Sequence, residues 1–239
     1  MGTRLDPLTR TRPKCLVNVG GRPMMEYQLD SPRRAGIKDC TIVVRYMAGS
    51  VRNYFGSNYR GVRLSYVENN AYDKTNNLYS LWLARAGFND DVLLLESDLV
   101  FDDLLVSELV LLDDQNVAMV DWFKPHMDGT VILAQGGVVK SMVLKSDQGS
   151  EFDYSHALKT VNIYRLSKDS LVETIVPEVE EFLGNGLTDQ YCESVFASLI
   201  GSGRMGMAVM STGNRKWAEI DTLSDLRDAE RMFATAAVV

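Results

Sequence analysis

The sequence predicts an α/β fold with a Rossmann-like, mixed and mainly parallel sheet flanked by helices. Short apolar runs alternate with segments whose apolar residues recur every three or four positions, the pattern of βαβ units. Val92–Leu95 is an uninterrupted Val and Leu run that stops at Glu96, as a strand buried on both faces does at its end. The chain lacks repeats, low-complexity stretches and an obvious linker, so we expect a single domain over residues 1–239.

The individual elements follow from periodicity and turn residues. The predicted strands are Thr41–Met47, Val62–Glu68, Asp91–Glu96, Val117–Trp122, Val131–Ala134, Val138–Leu144, Thr160–Leu166 and Gly206–Met210. The predicted helices are Pro23–Ala35, Asn76–Ala86, Leu104–Leu112, Ser170–Leu183 and Asp189–Leu199. A last helix follows Asp221, where Thr222 and Asp225 have the spacing of a capping box.

The composition excludes several classes of protein. A formal charge of −7 and a pI near 4.9 argue against a nucleic-acid surface, which needs a broad basic face. No apolar run reaches the roughly 18 residues of a membrane span, and the N-terminus does not resemble a signal peptide, so we expect a cytoplasmic protein. Three cysteines and two histidines favour neither disulfides nor zinc, so a metal here would be magnesium held by carboxylates.

Two features suggest chemistry and each has a plainer alternative. Residues 1–14 combine small residues with Arg4, Arg10, Arg12 and Lys14, which is either a phosphate-binding turn or a solvated basic tail. Asp98 follows a predicted strand, where ligands bind in open α/β sheets, but an acid there also serves as a helix cap.

Three motifs in register favour the phosphate-binding alternative. GTRL-x-PLT, PK-x-L and V-x-G-x-P-M resemble the signature of nucleotidyltransferases of the sugar-nucleotide pyrophosphorylase type. Further on, TNN-x-YSLWLA, K-x-VNIY and W-x-EID are most similar to the cytidylyltransferases that act on phosphocholine or phosphonates. The resemblance implies the nucleotidyltransferase fold, with a small β lobe over the site formed by about residues 123–154.

The resemblance also implies the reaction. Such an enzyme transfers CMP from CTP to a small phosphonate or phosphate ester and releases pyrophosphate, with magnesium as cofactor. We expect the phosphonate branch, with phosphonoformate as acceptor, as in the biosynthesis of the antibiotic phosphinothricin. The alternative acceptors are 2-aminoethylphosphonate, 2-hydroxyethylphosphonate and phosphocholine. A noncatalytic nucleotide-binding homologue is the alternative of another class, and a homodimer is left open.

The matching positions give the implied site residues. Gly2, Thr3 and Arg4 fall on the triphosphate loop, and Lys14 falls on the lysine that contacts phosphate. Lys14 and Arg4 would neutralise the departing pyrophosphate, and Lys159 would bind the phosphonate of the acceptor or the α-phosphate.

The implied metal ligands and base-reading residues lie further along the chain. Asp98 and Asp221 would hold magnesium, with Glu219 as an additional ligand, unless Asp221 is only the acid at a helix start. Thr75, Asn76 and Asn77 would read the cytosine edge or anchor the loop that does so. The plainer alternative is that Thr75 or Asn76 caps the helix that follows.

The acceptor sets the chemistry of its pocket. A carboxylate beside the phosphonate calls for a cation, for which Lys145 and Arg165 are candidates. A cationic head group calls for aromatic or acidic partners, for which the candidates are Trp122, Asp121, Asp153 and Tyr154.

The chain departs from the family at its beginning. Met1 stands where the middle residue of the glycine loop belongs, so the apolar first strand and the first glycine of the family are missing. We expect the native protein to carry roughly a dozen more residues, about one strand and its loop. The chain as given is then expected to bind CTP weakly, because N–H donors of the loop are lost.

Overall fold

The computed structural model describes residues 3–234. Packing divides the chain into two compact units. The first comprises Met1–Glu68, Leu95–Leu111 and Asn214–Val239, and the second comprises Asn69–Leu94 and Leu112–Gly213. The two units are defined by the density of contacts within each of them and are not separate domains by that criterion alone. A single domain over residues 1–239 stays a prediction.

Eight helices and thirteen strands are distributed over the described residues. The helices are α1 Met24–Arg34, α2 Ala48–Phe55, α3 Asn77–Ala84, α4 Leu104–Leu109, α5 Lys168–Ser170, α6 Val176–Gly184, α7 Cys192–Gly201 and α8 Leu223–Phe233. The strands are β1 Asn18–Val19, β2 Arg22–Pro23, β3 Asp39–Val44, β4 Asn58–Tyr59, β5 Val62–Glu68, β6 Val92–Leu95, β7 Leu99–Phe101, β8 Asn116–Trp122, β9 Val131–Gln135, β10 Val138–Val143, β11 Leu158–Leu166, β12 Ala208–Ser211 and β13 Trp217–Glu219.

The first unit contains a small sheet and two separate two-stranded ladders, the first of which pairs β1 with β2. In the small sheet β5 lies between β3, which is parallel to it, and β4, which is antiparallel. The second ladder pairs β7 with β13. Helix α1 lies against β7, where the side-chain amide of Gln28 donates a buried hydrogen bond of 2.9 Å to the carbonyl of Leu99. The core beneath the second ladder includes Leu5, Val100 and Ile220, all fully buried.

The second unit contains a six-stranded sheet in the order β6-β11-β8-β12-β10-β9. Among the ladders described, β12 with β8 is parallel, whereas β10 pairs antiparallel with β9 and β12, and β11 with β8 and β9. Its core contains Tyr164 and Phe196, whose rings meet edge to face with centroids 5.2 Å apart. Burying such aromatic side chains supplies much of the hydrophobic stabilisation of a core.

The predicted α/β class is confirmed, and the sheet is mixed as expected. Parallel pairing is rarer than predicted, because β8 to β11 follow one another without an α-helix between them, and a parallel pair needs such a crossover. The hairpin of β9 and β10 belongs to the six-stranded sheet instead of forming a separate lobe. The expectation that Val92–Leu95 is buried on both faces is wrong: all four residues are half-buried, since β6 is the end strand of the sheet as described.

Two predicted helices differ in detail. The segment predicted as one helix, Ser170–Leu183, is α5 and α6 joined by a π-helical turn at Leu171–Ile175. The final helix begins as predicted, because the Thr222 hydroxyl accepts from the backbone N–H of Asp225 and the Asp225 carboxylate accepts from that of Thr222. Within residues 3–234, every helix is too short or too polar to span a lipid bilayer.

Candidate active site

The ladder of β7 and β13 brings together acidic residues from distant parts of the chain. Leu99 and Glu219 are direct partners in this antiparallel pair, so Asp98, just before β7, lies beside the end of β13. The backbone N–H of Ile220 donates a 2.9 Å hydrogen bond to the carbonyl of Asp98. Asp221 follows Ile220, and the ladder therefore places it near Asp98.

Lys14 lies between the two aspartates. Its Nζ is 2.8 Å from Oδ2 of Asp98 and 2.6 Å from Oδ1 of Asp221. The side chains of Lys14 and Asp98 are each 18% exposed, so water screens their attraction only partly. Lys14 begins a short 3₁₀ turn, Lys14–Leu16, after the extended residue Pro13.

Charge keeps the ammonium protonated. Burial by itself would lower the pKa of Lys14, but the charges of Asp98 and Asp221 and their hydrogen bonds outweigh it and raise the pKa above its ordinary value. Lys14 is therefore a permanent cation at neutral pH.

The N-terminal loop adds a second cation. Arg4 Nη2 lies 3.0 Å from Oδ2 of Asp221, and the Arg4 side chain is 66% exposed. An ion pair that exposed is worth little stability, so Arg4 is held loosely and remains accessible to an anion. Thr3 begins the 3₁₀ turn Thr3–Leu5, and the predicted loop residue Gly2 lies outside the described residues.

The acidic side chains form a group suited to a divalent cation. Carboxylate oxygens of Glu96, Asp98 and Glu219 lie within 4.8 Å of one another. Oδ1 of Asp98 is buried and has no hydrogen-bond partner among the described residues. A buried carboxylate oxygen without a donor is costly unless a cation satisfies it. Oxygen ligands at this spacing fit a hard divalent cation such as magnesium. The group shares Asp98 and Glu219 with the predicted metal ligands and does not include Asp221, and magnesium stays a prediction.

Glu96 is absent from the predicted site. It is the first residue after β6 and precedes Asp98 by two positions, and that alternation after a strand was the available signal. Asp221, which shares the Lys14 ammonium with Asp98, adds a fourth carboxylate beside this group.

The residues predicted to read cytosine lie in the second unit, where one of them caps a helix. Oδ1 of Asn76 accepts from the backbone N–H of Asn77 at 2.9 Å and begins α3. The Thr75 hydroxyl accepts from the Asn69 amide at 3.0 Å and donates to the carbonyl of Ala71 at 2.9 Å. Oδ1 of Asn77 accepts from the backbone N–H of Cys192 at 2.8 Å. The capping interpretation is correct for Asn76, and base reading stays a prediction.

Lys159 also lies in the second unit, where it is almost completely buried at 2% exposure. Its Nζ donates to the carbonyl of Thr160 at 2.8 Å. Gly129 passes so close that a Cβ there would lie 3.3 Å from this nitrogen. Lys159 is thus a buried cation on β11, and its contact with the acceptor stays a prediction.

Both candidate cations for an acceptor carboxylate are engaged within the protein. Lys145 Nζ lies 2.8 Å from Oδ1 of Asp128, and the pair lowers the pKa of Asp128. The Arg165 guanidinium donates to the carbonyls of Leu112 and Asp114 and to the carboxylate of Asp91. Arg165 therefore joins β11 to two loops, which is a structural task.

The candidates for a cationic head group are also mostly engaged. Asp121 is bound by Lys124 at 3.1 Å. The ring of Tyr154 is stacked on Phe123 with centroids 4.2 Å apart. Asp153 accepts two hydrogen bonds from Ser155, which lower its pKa. Trp122 differs, since it is 63% exposed.

Comparison with known proteins adds sequence evidence. A family model described as Nucleotidyl transferase matches residues 1–121. The CMP-5'-(3-aminopropyl)phosphonate synthase of Streptomyces rubellomurinus is 32% identical over 236 residues, covering 98% of this chain and 37% of that protein. The CTP:phosphoglutamine cytidylyltransferase of Campylobacter jejuni is 25% identical, covering 94% of each. The chain thus spans little more than a third of the first of these relatives.

Comparison with solved structures concerns the fold. The structure of the CTP:phosphocholine cytidylyltransferase from Streptococcus pneumoniae matches with a TM-score of 0.78 at 24% identity. The match covers 97% of this chain and 94% of that chain. At that identity the likeness establishes a common fold.

Proposed function

Because this chain belongs to the nucleotidyl transferase family, we propose that it is a cytidylyltransferase, which transfers CMP from CTP to a small phosphonate or phosphate ester and releases pyrophosphate. The observation that carries the proposal is the juxtaposition of Lys14 and Arg4 with Asp98 and Asp221. Basic groups next to a cluster of carboxylates suit a reaction in which a metal and fixed cations share a crowded polyphosphate.

The reaction needs little proton chemistry. An oxygen of the acceptor forms a bond to the α-phosphorus of CTP, and the bond from that phosphorus to the bridging oxygen breaks as pyrophosphate leaves. The acceptor oxygen is already ionised near neutral pH, so the protein need not supply a general base. Lys14 and Arg4 then bind the phosphates and stabilise the negative charge that accumulates on the leaving group.

Magnesium is the proposed cofactor. Asp98 and Asp221 would hold it, with Glu219 and Glu96 beside them, and the unpartnered Oδ1 of Asp98 supports this assignment. When bound, the ion neutralises phosphate charge and polarises the phosphoryl group under attack.

The acceptor is proposed to be a phosphonate. Phosphonoformate remains the acceptor expected from the motifs, although Lys145 and Arg165 are each engaged within the protein. An aminoalkylphosphonate is the second candidate, because the relative that covers 98% of this chain is a CMP-(3-aminopropyl)phosphonate synthase. Lys159 is proposed to bind the phosphonate group in either case.

Phosphorus NMR of a mixture of CTP, magnesium and one acceptor at a time tests the proposal. The acceptors are phosphonoformate, 2-aminoethylphosphonate, 2-hydroxyethylphosphonate and phosphocholine. We expect a CMP adduct and pyrophosphate to appear together with one phosphonate. Asp98→Asn and Asp221→Asn should each lower the rate by about 100-fold or more. Asp113→Asn, at an exposed aspartate that is not part of the acidic group, is the matched control.

Two results would overturn the proposal. Binding of CTP without adduct formation from any of these acceptors would favour a noncatalytic nucleotide-binding homologue. Adduct formation that both Asp98→Asn and Asp221→Asn leave unchanged would place the chemistry elsewhere in the protein.

A further inference from the structure

We infer that Lys14 is an internal counter-ion of the proposed metal site. It pairs with Asp98 and Asp221 in the free protein and leaves them only when a triphosphate binds. The inference rests on the proposed function, because it concerns the same carboxylates. Lys14 then has a second role besides neutralising phosphate, because it makes metal binding depend on the nucleotide.

Lys14 contacts both proposed metal ligands at once. The ammonium of Lys14 contacts one oxygen of Asp98 and one of Asp221, at 2.8 and 2.6 Å. Magnesium held by the same two carboxylates, at about 2.1 Å from its ligand oxygens, would lie within a few ångströms of this ammonium. The two cations therefore compete for the same two carboxylates.

The charge of Lys14 also opposes the entry of a metal ion. A divalent ion that enters beside an ammonium meets repulsion at contact distance, in a place where solvent screening is reduced. Within residues 3–234, Oδ1 of Asp98 is buried without a hydrogen-bond partner, so Lys14 satisfies this carboxylate only in part. That oxygen still favours a metal once Lys14 has withdrawn.

Attraction to the triphosphate draws Lys14 away from the two aspartates. Its oxygens are strong acceptors for an ammonium, and a lysine side chain has four methylene groups over which it can swing without backbone movement. Arg4, loosely held on the other oxygen of Asp221, is drawn by the same phosphates. The nucleotide thereby frees both aspartates and also brings ligand oxygens of its own.

The consequence is strong positive coupling between metal and nucleotide. The free protein should bind the metal weakly, and nucleotide should raise metal affinity by more than the phosphates alone supply. By thermodynamic reciprocity the metal raises nucleotide affinity by the same factor. In the protein without nucleotide, Lys14 stays paired with Asp98 and Asp221, so the site binds metal ions only weakly in the absence of substrate.

Manganese(II) binding without nucleotide, followed by electron paramagnetic resonance of the free ion, tests the inference with the full chain. Lys14→Met removes the charge and keeps the length of the side chain. We expect manganese affinity to rise at least about tenfold in this variant, the order expected for release of charge-assisted hydrogen bonds. Lys38→Met, which removes an exposed lysine, should bind manganese like the unsubstituted protein.

The second arm adds CTP without acceptor. CTP should raise the manganese affinity of the unsubstituted protein far more than that of Lys14→Met. Equal or weaker manganese binding by Lys14→Met would overturn the inference. Should Lys14→Met not fold, as judged by circular dichroism, Lys14→Gln replaces it. The unsubstituted protein provides its own test, since manganese binding equally tight with and without CTP would also overturn the inference.

These outcomes are separable from those of the proposed function. Tighter manganese binding by Lys14→Met together with absence of any CMP adduct would retain the counter-ion and refute the transferase. Adduct formation together with unchanged manganese binding would do the reverse.

Discussion

Lys14 and Asp221 form a hydrogen-bonded ion pair of 2.6 Å although 207 positions separate them in the sequence. Asp98 completes the arrangement from a third part of the chain. The pair depends on the short ladder of β7 and β13, which sets Asp98 and Asp221 side by side. The helix that begins at Thr222 then fixes the chain directly after Asp221.

The capping box at the start of α8 should contribute measurably to stability. Thr222→Ala removes the acceptor for the Asp225 N–H, and we expect a loss of about 1 kcal/mol in the free energy of unfolding. Thr222→Ser keeps the hydroxyl and should lose less than half of that. Urea unfolding of both variants checks the prediction, and equal losses would contradict it.

Asp30 should be far more important for stability than an exposed aspartate in a similar ion pair. Its side chain is 2% exposed and binds three guanidinium groups, those of Arg22, Arg33 and Arg60. We expect Asp30→Asn to cost about 2–3 kcal/mol in urea unfolding, since three arginines lose their counter-ion but can still reach water.

The matched control for Asp30 is Asp39→Asn. The ion pair of Asp39 with Arg63 is exposed on both sides and screened by water, so this substitution should leave the midpoint of urea unfolding almost unchanged. A loss as large for Asp39→Asn as for Asp30→Asn would contradict the role of burial.

Glu193 should make stability depend on pH. Burial raises the pKa of this carboxyl, and its own backbone N–H, the Tyr164 hydroxyl and the charge of Lys159 oppose that only in part. The folded protein thus binds the proton more tightly than the unfolded chain, so stability falls as pH rises from the unfolded pKa through the folded one. Glu193→Gln cannot ionise and escapes this loss.

Urea unfolding of Glu193→Gln and the unsubstituted protein at about pH 5 and about pH 8 checks this prediction. The stability of the variant relative to the unsubstituted protein should increase between the two values. A constant difference would show that burial leaves the Glu193 carboxyl unperturbed.

The thiols of Cys15 and Cys40 should be poorly reactive in the folded protein. Burial raises the pKa of each to about 11, so both stay protonated at neutral pH. We expect labelling with a disulfide reagent at about pH 8 to be at least tenfold slower than in denaturant, and to accelerate as pH approaches 11. Fast native labelling at both positions would refute this.

Lys159 should affect the acceptor and not the nucleotide. If it binds the phosphonate, Lys159→Gln should raise the KM for the acceptor by about 100-fold and leave the KM for CTP nearly unchanged. Lys140→Gln, at an exposed position on β10, is the control. An equal rise in both KM values would indicate a general loss of structure around this buried lysine.

Much of the architecture was predictable because its signals are local. Val62–Glu68 has the predicted bounds, and the helix after Asp221 begins at its capping box. The motifs likewise marked Lys14, Asp98 and Asp221, since each motif is a short stretch of sequence. The strands β7 and β13 escaped prediction because three residues are too few to show a periodicity.

Local patterns identified the elements and most of the acidic residues, whereas their partners depended on contacts between distant segments. Only the folded structure shows that Lys14 bridges two aspartates and that Glu96 lies beside Asp98 and Glu219. The hydrogen bonds of Arg165 to loop carbonyls are likewise visible only there. The reason is physical: periodicity and capping act within a few residues, whereas strand pairing and ion pairing join groups that the sequence leaves far apart.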